Sequence, residues 1–228
     1  MRISKRRVVI DDSGVRMIKL RVKNFDDKII AEVVAEQDED GNVYYDFSEL
    51  DLTAADLSHK ELSHSIFVET NLTDARLSYC KLKHTNFDSA KMVRIDLSGS
   101  KLGWSFLERV DADDANFSNC SLYKCSLSDS SFVRADFTWA SLGAATLEGS
   151  DLRYAKFRNA NFFDAWVKRN RYDYADFTNA IDLALNHPYK NDQIFSKFQE
   201  VKYGRDIEGL TGSIRSRWNS RHQDGFDF

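Results

Sequence analysis

Few side chains in this 228-residue chain are placed to do chemistry, and their spacing is unusual. Cys80, Cys120 and Cys125 are separated by multiples of five, with no CxxC pair and no histidines at metal-ligand spacing beside them. They read as small, core-filling thiols in a reducing cytoplasm. No serine, cysteine or lysine nucleophile stands in a motif with a matching base, and there is no glycine-rich phosphate loop and no HExxH segment. An enzyme is therefore not expected, nor a metal or a cofactor. What remains is recognition chemistry. Trp104, Tyr123 and Lys124, with His64, His84, Lys81, Lys83, Lys101 and Phe163, make up an aromatic and basic set. Asp111, Asp113 and Asp114, with Asp74 and Asp151, make up an acidic one. Either set, gathered on one surface, could hold a partner.

The elements that must position these residues are written in a period of five. From Phe47 to Phe177 a large apolar residue stands at 27 consecutive fifth positions without insertion or deletion, Ala112 being the only small one. A helix needs apolar residues at 3.6 spacing and a strand at 2.0, so a sustained period of five satisfies neither. It identifies a solenoid, in which no repeat can bury its apolar face alone and stacking supplies the core. Two residues before the large position stands Ala, Ser, Thr, Cys or Val in 22 of 27 repeats, which lets neighbouring corners close tightly.

Ala55-Asp56-Leu57, Ala115-Asn116-Phe117, Ala135-Asp136-Phe137, Ala160-Asn161-Phe162 and Ala175-Asp176-Phe177 follow the pattern A(D/N)LXX, and in this the chain resembles the pentapeptide-repeat family. The resemblance implies an all-β fold, a right-handed quadrilateral β-helix with four pentapeptides per square coil. Residues 20 apart would then stack, giving about 6.5 coils and roughly 31 Å of rod at ~4.8 Å per rung. One face would stack Phe47, Phe67 and Phe87 before Leu107, and another Leu57, Leu77 and Leu97 before Phe117, Phe137, Phe157 and Phe177. His64 and His84 would stack on an outer edge as solvated ladder residues, with Trp104 and Lys124 continuing their column and Tyr123 beside it. Phe106, Trp139 and Trp166 also fall at outward positions and could form a second patch. The stretch Trp166 to Tyr172, with Asn170 at a small-residue position, is expected to widen or bulge its coil.

Both ends of the repeat read as caps. Residues 1–45 suggest a small antiparallel β meander, with strands around Val8–Ile10, Ile18–Lys23, Ile29–Ala35 and Val43–Tyr45, that pairs onto the first coil. The repeat occupies residues 46–180. In 181–228 the register fails at Asp182, Pro188 punctuates the break, and stripes at Ile194, Phe195, Phe198 and Val201, then at Ile207, Leu210, Ile214 and Trp218, predict two helices. One would cap the last coil and the other could form a homodimer contact.

The composition, 42% apolar and 30% charged, is that of a soluble folded protein, and no segment approaches the length of a membrane span. The start lacks the apolar run of a secretory signal, so a cytoplasmic location is expected. The net charge of −4 resides in the repeat, where 46–179 holds 16 basic and 20 acidic residues, so direct binding of nucleic acid is not expected. Some members of the family imitate duplex DNA and occupy a type II topoisomerase such as gyrase, protecting it from quinolones or peptide toxins. The resemblance implies that Asp111, Asp113, Asp114, Asp74 and Asp151 could form such a stripe. The chain departs from those members in its interspersed basic residues and in lacking loop insertions between coils. The alternative is an interaction module or delivered bacterial effector that binds a protein through the aromatic and basic face around Trp104. Both readings need an intact rod, and Leu97→Asp, which puts an unpaired charge in its narrow dry core, should cost several kcal/mol and leave the chain unfolded by circular dichroism.

Overall fold

The computed structural model describes residues 7–10 and 16–181, with side chains from residue 20 onward. Those residues are all-β, with no helix among them. The predicted helical cap and dimer contact, with Asp182 and Pro188, lie outside the described residues. No helix among the described residues is long and apolar enough to cross a membrane.

An antiparallel meander leads into the rod: β1 (Arg7–Ile10), β2 (Arg16–Asn24), β3 (Ile29–Gln37) and β4 (Val43–Tyr45) lie side by side in chain order. The β2–β3 turn is tied by Asn24, whose Oδ1 accepts from the N–H groups of Asp26 and Lys28. The β3–β4 turn is tied by Asp38, which accepts from the N–H groups of Asp40 and Asn42 and from the Asn42 amide. The end of β2 pairs with β5 (Ala55–Asp56) in the first coil, Lys23 opposite Asp56 and Asn24 opposite Ala55. Val22 and Val33 turn inward and join the core of the rod, so the meander covers apolar surface that the first coil would otherwise expose.

From Asp46 to Ile181 every rung is parallel and offset by 20 residues, Asp46 opposite Ile66 through to Asn161 opposite Ile181. The stretch 86–90 displays the wiring. The N–H groups of Phe87 and Ser89 donate to the carbonyls of Phe106 and Glu108 one coil on, at 2.8 and 2.9 Å. Asn86 donates back to Ser65 at 3.1 Å, and Ala90 closes a turn on the Phe87 carbonyl at 2.9 Å. The same register runs through β6 (Thr146–Glu148) and β7 (Trp166–Lys168), which pair in parallel, and on to Asp151 opposite Arg171. The expected bulge at 166–172 is absent, because Asn170 fits the ladder.

The reason lies in the small-residue column. At some corners the hydroxyl one coil on bridges the turn below it: Ser130 Oγ accepts from Val110 N–H at 3.1 Å and donates to the Leu107 carbonyl at 2.9 Å. Ser100 and Ser105 do the same for the turns ending at Cys80 and Thr85. Asn170 performs this role with a longer arm, its Oδ1 accepting from Ser150 N–H and its Nδ2 donating to the Leu147 carbonyl, both at 2.7 Å. No buried side-chain polar atom among the described residues is left without a partner.

The large apolar column fills the interior. Phe117, Phe137, Phe157 and Phe177 stack at ring separations of 4.8 Å, nearly parallel, and Phe47, Phe67 and Phe87 stack on the adjoining stretch of the opposite wall at 4.4 and 4.8 Å. Each ring lies over its own equivalent because the rung spacing sets them one stacking distance apart, and Phe132 and Phe162 on the two adjoining walls meet the longer stack from the side at 5.4 to 6.1 Å.

The fifth position of each repeat, two residues after the large one, was not anticipated. It adopts a left-handed conformation in all 27 repeats, with φ between 52° and 72°, and only Gly99 and Gly149 among them are glycine. An L-residue pays about 1–2 kcal/mol there. The column holds Glu, Ala, His, Asp, Tyr, Ser, Arg, Trp, Asn and Lys but never Val, Ile or Thr, whose branched Cβ tolerates positive φ least. Ser89→Val should therefore destabilise the protein by about 1–2 kcal/mol in urea unfolding although Ser89 is exposed, whereas Ser89→Gly should stay within about 0.5 kcal/mol of the parent. Equal effects from both substitutions would remove corner strain as the cause.

Candidate recognition surface

One wall of the rod carries the pentapeptides centred on Leu62, Leu82, Leu102, Leu122, Leu142 and Phe162. At its corner stand His64, His84, Trp104 and Lys124, each 20 residues after the last and each held at positive φ by its turn. That backbone aims the side chains outward in register, and their rings stack. His64 lies on His84 with centroids 5.0 Å apart, and His84 lies on Trp104 at 5.5 Å with an 18° tilt. Tyr123, on the flat of the same wall, meets Trp104 edge-on at 5.3 Å and 82°. Its ring lies over Gly143, where a Cβ would come within 3.2 Å of it. The ammonium groups of Lys83 and Lys124 stand 5.7 and 5.9 Å from the Trp104 ring centre, within cation–π range. His64, His84, Trp104, Tyr123 and Lys124 thus form one contiguous array. Gly143 is the member that sequence reasoning missed, and its signal was a glycine 20 residues after Tyr123.

The carboxylates are arranged differently. Asp74, Arg94, Asp114 and Arg134 occupy a single corner column, alternating in sign. Arg94 grips Asp74 through two bonds of 2.6 and 2.7 Å, and Arg134 grips Asp114 through two of 2.7 Å. These guanidinium groups hold both carboxyls below the usual carboxylate range. Asp151 is held by Arg153, with Arg171 adding a second contact at 3.3 Å, and its carboxyl too is pulled down, chiefly by Arg153. Asp113 turns back onto the rod, accepting from Ser131 Oγ and from the Val133 N–H. Asp111 alone of the five is exposed with no ion pair. The five carboxylates therefore do not make an unbroken negative stripe. Reading the chain at 20-residue spacing would have paired Asp74 with Arg94 and Asp114 with Arg134.

Other candidates separate. Phe106 and Trp166 lie on one wall three coils apart, and Trp139 stands on a different corner, so they do not form a second patch. Two further stacks project instead: His59 on Tyr79 at 5.3 Å, with Tyr79 bent over Gly99, and Tyr154 on Tyr174 at 5.0 Å. Each of the three thiols donates to a leucine carbonyl inside the rod, and burial pushes Cys80 up to about 11 and Cys120 and Cys125 up to about 12. Such thiols stay protonated and unreactive. Among the described residues no group of three or more His, Cys, Asp or Glu could hold a metal ion.

A square parallel β-coil with a filled interior and a patterned exterior is a scaffold for surface contacts. Family models agree with the repeat: a pentapeptide repeat region matches residues 45–117 and eight-copy pentapeptide repeats match residues 130–165. The repeat of this chain is thus a pentapeptide repeat, and proteins of that family are generally non-enzymatic scaffolds. Among solved structures it is similar to a trypsin-treated form of QnrB1, a plasmid-mediated fluoroquinolone resistance protein, at 16% identity over 66% of this chain and 84% of that one, with a TM-score of 0.38. It is similar also to HetL, involved in heterocyst differentiation regulation in the cyanobacterium Nostoc, at 21% identity over 59% and 84% of the two chains and a TM-score of 0.29. A thylakoid-lumen pentapeptide repeat protein of Arabidopsis thaliana matches at 21% identity over 66% and 82%, with a TM-score of 0.26. At these values none of the three bears on what this chain binds. No curated protein sequence matches the chain.

Partial burial first, then the neighbouring charges of His64 and Lys83, hold the His84 imidazole below its ordinary value. The unfolded chain therefore takes up that proton first as pH falls, and stability due to His84 is full above the unfolded value and declines below it. Urea unfolding between about pH 7 and pH 5 should show a shallower loss of stability for His84→Gln than for the parent. Identical pH slopes would mean that the stack does not resist protonation.

Proposed function

We propose that this protein is a non-enzymatic binding scaffold that holds a protein partner on the aromatic and basic wall centred on Trp104. The observation that carries the reading is the fixed Trp104 ring, supported from below by His84, braced edge-on by Tyr123 and flanked by Lys83 and Lys124. Tryptophan and tyrosine that are already ordered lose little side-chain entropy on docking, which is why such residues dominate binding energy at interfaces. The competing reading, a DNA mimic acting on a type II topoisomerase, needs carboxylates that present free charge at phosphate-like spacing. Asp74, Asp114 and Asp151 each carry a guanidinium instead, which favours the aromatic wall.

Two assays on the full chain separate the readings. Affinity capture with the parent protein should retain a partner that Trp104→Ala and Tyr123→Ala fail to retain, with urea midpoints of both variants close to the parent. A gyrase supercoiling assay should be unaffected by low micromolar protein, with or without a quinolone. Gyrase inhibition that survives Trp104→Ala and disappears in Asp111→Lys would replace this reading with the mimic.

A further inference from the structure

Resting on that reading, we infer that the partner contributes an acidic stretch of polypeptide carrying an aromatic or aliphatic anchor, laid along the rod axis across this wall. The argument is one of charge. In the pentapeptides 80–84, 100–104, 120–124 and 140–144 the wall carries four lysines and neither aspartate nor glutamate. Lys81 is bound to Glu61 at 2.8 Å, but no carboxylate among the described residues lies within salt-bridge distance of Lys83, Lys101 or Lys124. Elsewhere on the rod every arginine from 94 to 171 is ion-paired and Arg76 rests on the Phe25 ring, and Lys91, which has no ion pair among the described residues, stands alone rather than in a cluster. Moreover, Lys81 and Lys101 are direct cross-rung neighbours, an unfavourable like-charge placement in which Glu61 offsets only Lys81 and leaves Lys101 without a counterion among the described residues.

Gly103 has an ordinary φ, and a Cβ there would meet nothing closer than the Tyr123 carbonyl at 3.5 Å, so the fold does not demand glycine at that point. Gly103 is buried, while Trp104 and Tyr123 beside it are partly exposed and can meet an anchoring side chain. A nucleic acid fits less well than an acidic peptide. Base stacking needs a free ring face, and the Trp104 ring is already engaged by His84, Tyr123 and Lys124. A long polyanion would also meet the net negative charge of the rest of the chain.

The test is selection of a random-peptide display library on the immobilised full-length protein, followed by fluorescence anisotropy of the labelled winning peptides and of a labelled oligo(dT) strand. The expected peptides are rich in Asp and Glu around a Phe, Leu or Ile. Their affinity should fall with added salt and drop about tenfold or more for Lys101→Glu, Lys124→Glu and Trp104→Ala, but not for Lys91→Glu on another wall. Peptides that need Trp104 but show no acidic bias overturn this inference and leave the wall as the binding site. Peptides that bind Trp104→Ala as well as the parent overturn the site itself. A selection that yields no binder, or an oligo(dT) strand that binds more tightly than every peptide, also overturns the inference.

Discussion

Everything in this rod depends on one backbone constraint, the left-handed residue at the fifth position of each repeat. That conformation bends the chain by a quarter turn and, in the same step, aims the N–H of the corner residue along the axis. Ser89 N–H reaches the Glu108 carbonyl and Asp114 N–H reaches the Val133 carbonyl in this way, both at 2.9 Å. The strain recurs in 25 non-glycine residues and is offset only because every coil is clamped to the next. It also explains why the period is never broken. A single inserted residue would move the bend, turn a leucine or phenylalanine outward and misalign every rung that follows.

A second rule follows from the first. When coils repeat every 20 residues each side chain lies directly over its equivalents, so like meets like unless the sequence intervenes. Indoors that suits phenylalanine on phenylalanine. Outdoors it would set charge against like charge, and the sequence intervenes by alternation, as in Asp74, Arg94, Asp114 and Arg134. Like charges also meet at Glu49 and Glu69 and at Asp88 and Glu108, but the wall around Trp104 gathers cations, since Lys81 lies under Lys101 and no acid appears from 80 to 84 or from 100 to 104. A place where a surface forgoes an available ion pair is one where stability alone does not account for the residues.

The solenoid could be read from the sequence because its signal is a single period held at two independent positions, the large column and the small one. The corner conformation was equally written there, in a column without one β-branched residue, but the signal is an exclusion and not a presence. Asn170 looked like a fault because only its size was weighed. Its amide supplies the donor and acceptor that a serine supplies at the corner below. For the candidate site, membership of the His64, His84, Trp104 and Lys124 column followed from spacing. The brace of Tyr123 against Trp104 did not, because it depends on which way the tyrosine ring folds, and that is decided by the space left at Gly143. Arg94 and Arg134, two of the basic residues interspersed among those carboxylates, are the counterions of Asp74 and Asp114.

A rod built this way also limits where function can sit. Among the described residues its interior is filled by the two inward columns. Groups that are reactive elsewhere are silenced inside it: the cysteines are pushed up to about 11 and 12 and occupied with carbonyls. The exterior offers the reverse. Every outward side chain starts from a rigid, evenly spaced backbone, and the corner residues are the most rigidly aimed of all. His84 and Trp104 therefore begin in the conformation that stacking requires, and a partner docking on them has little left to order. The strain at the corners and the suitability of the wall for recognition have one origin, the same turn repeated 27 times.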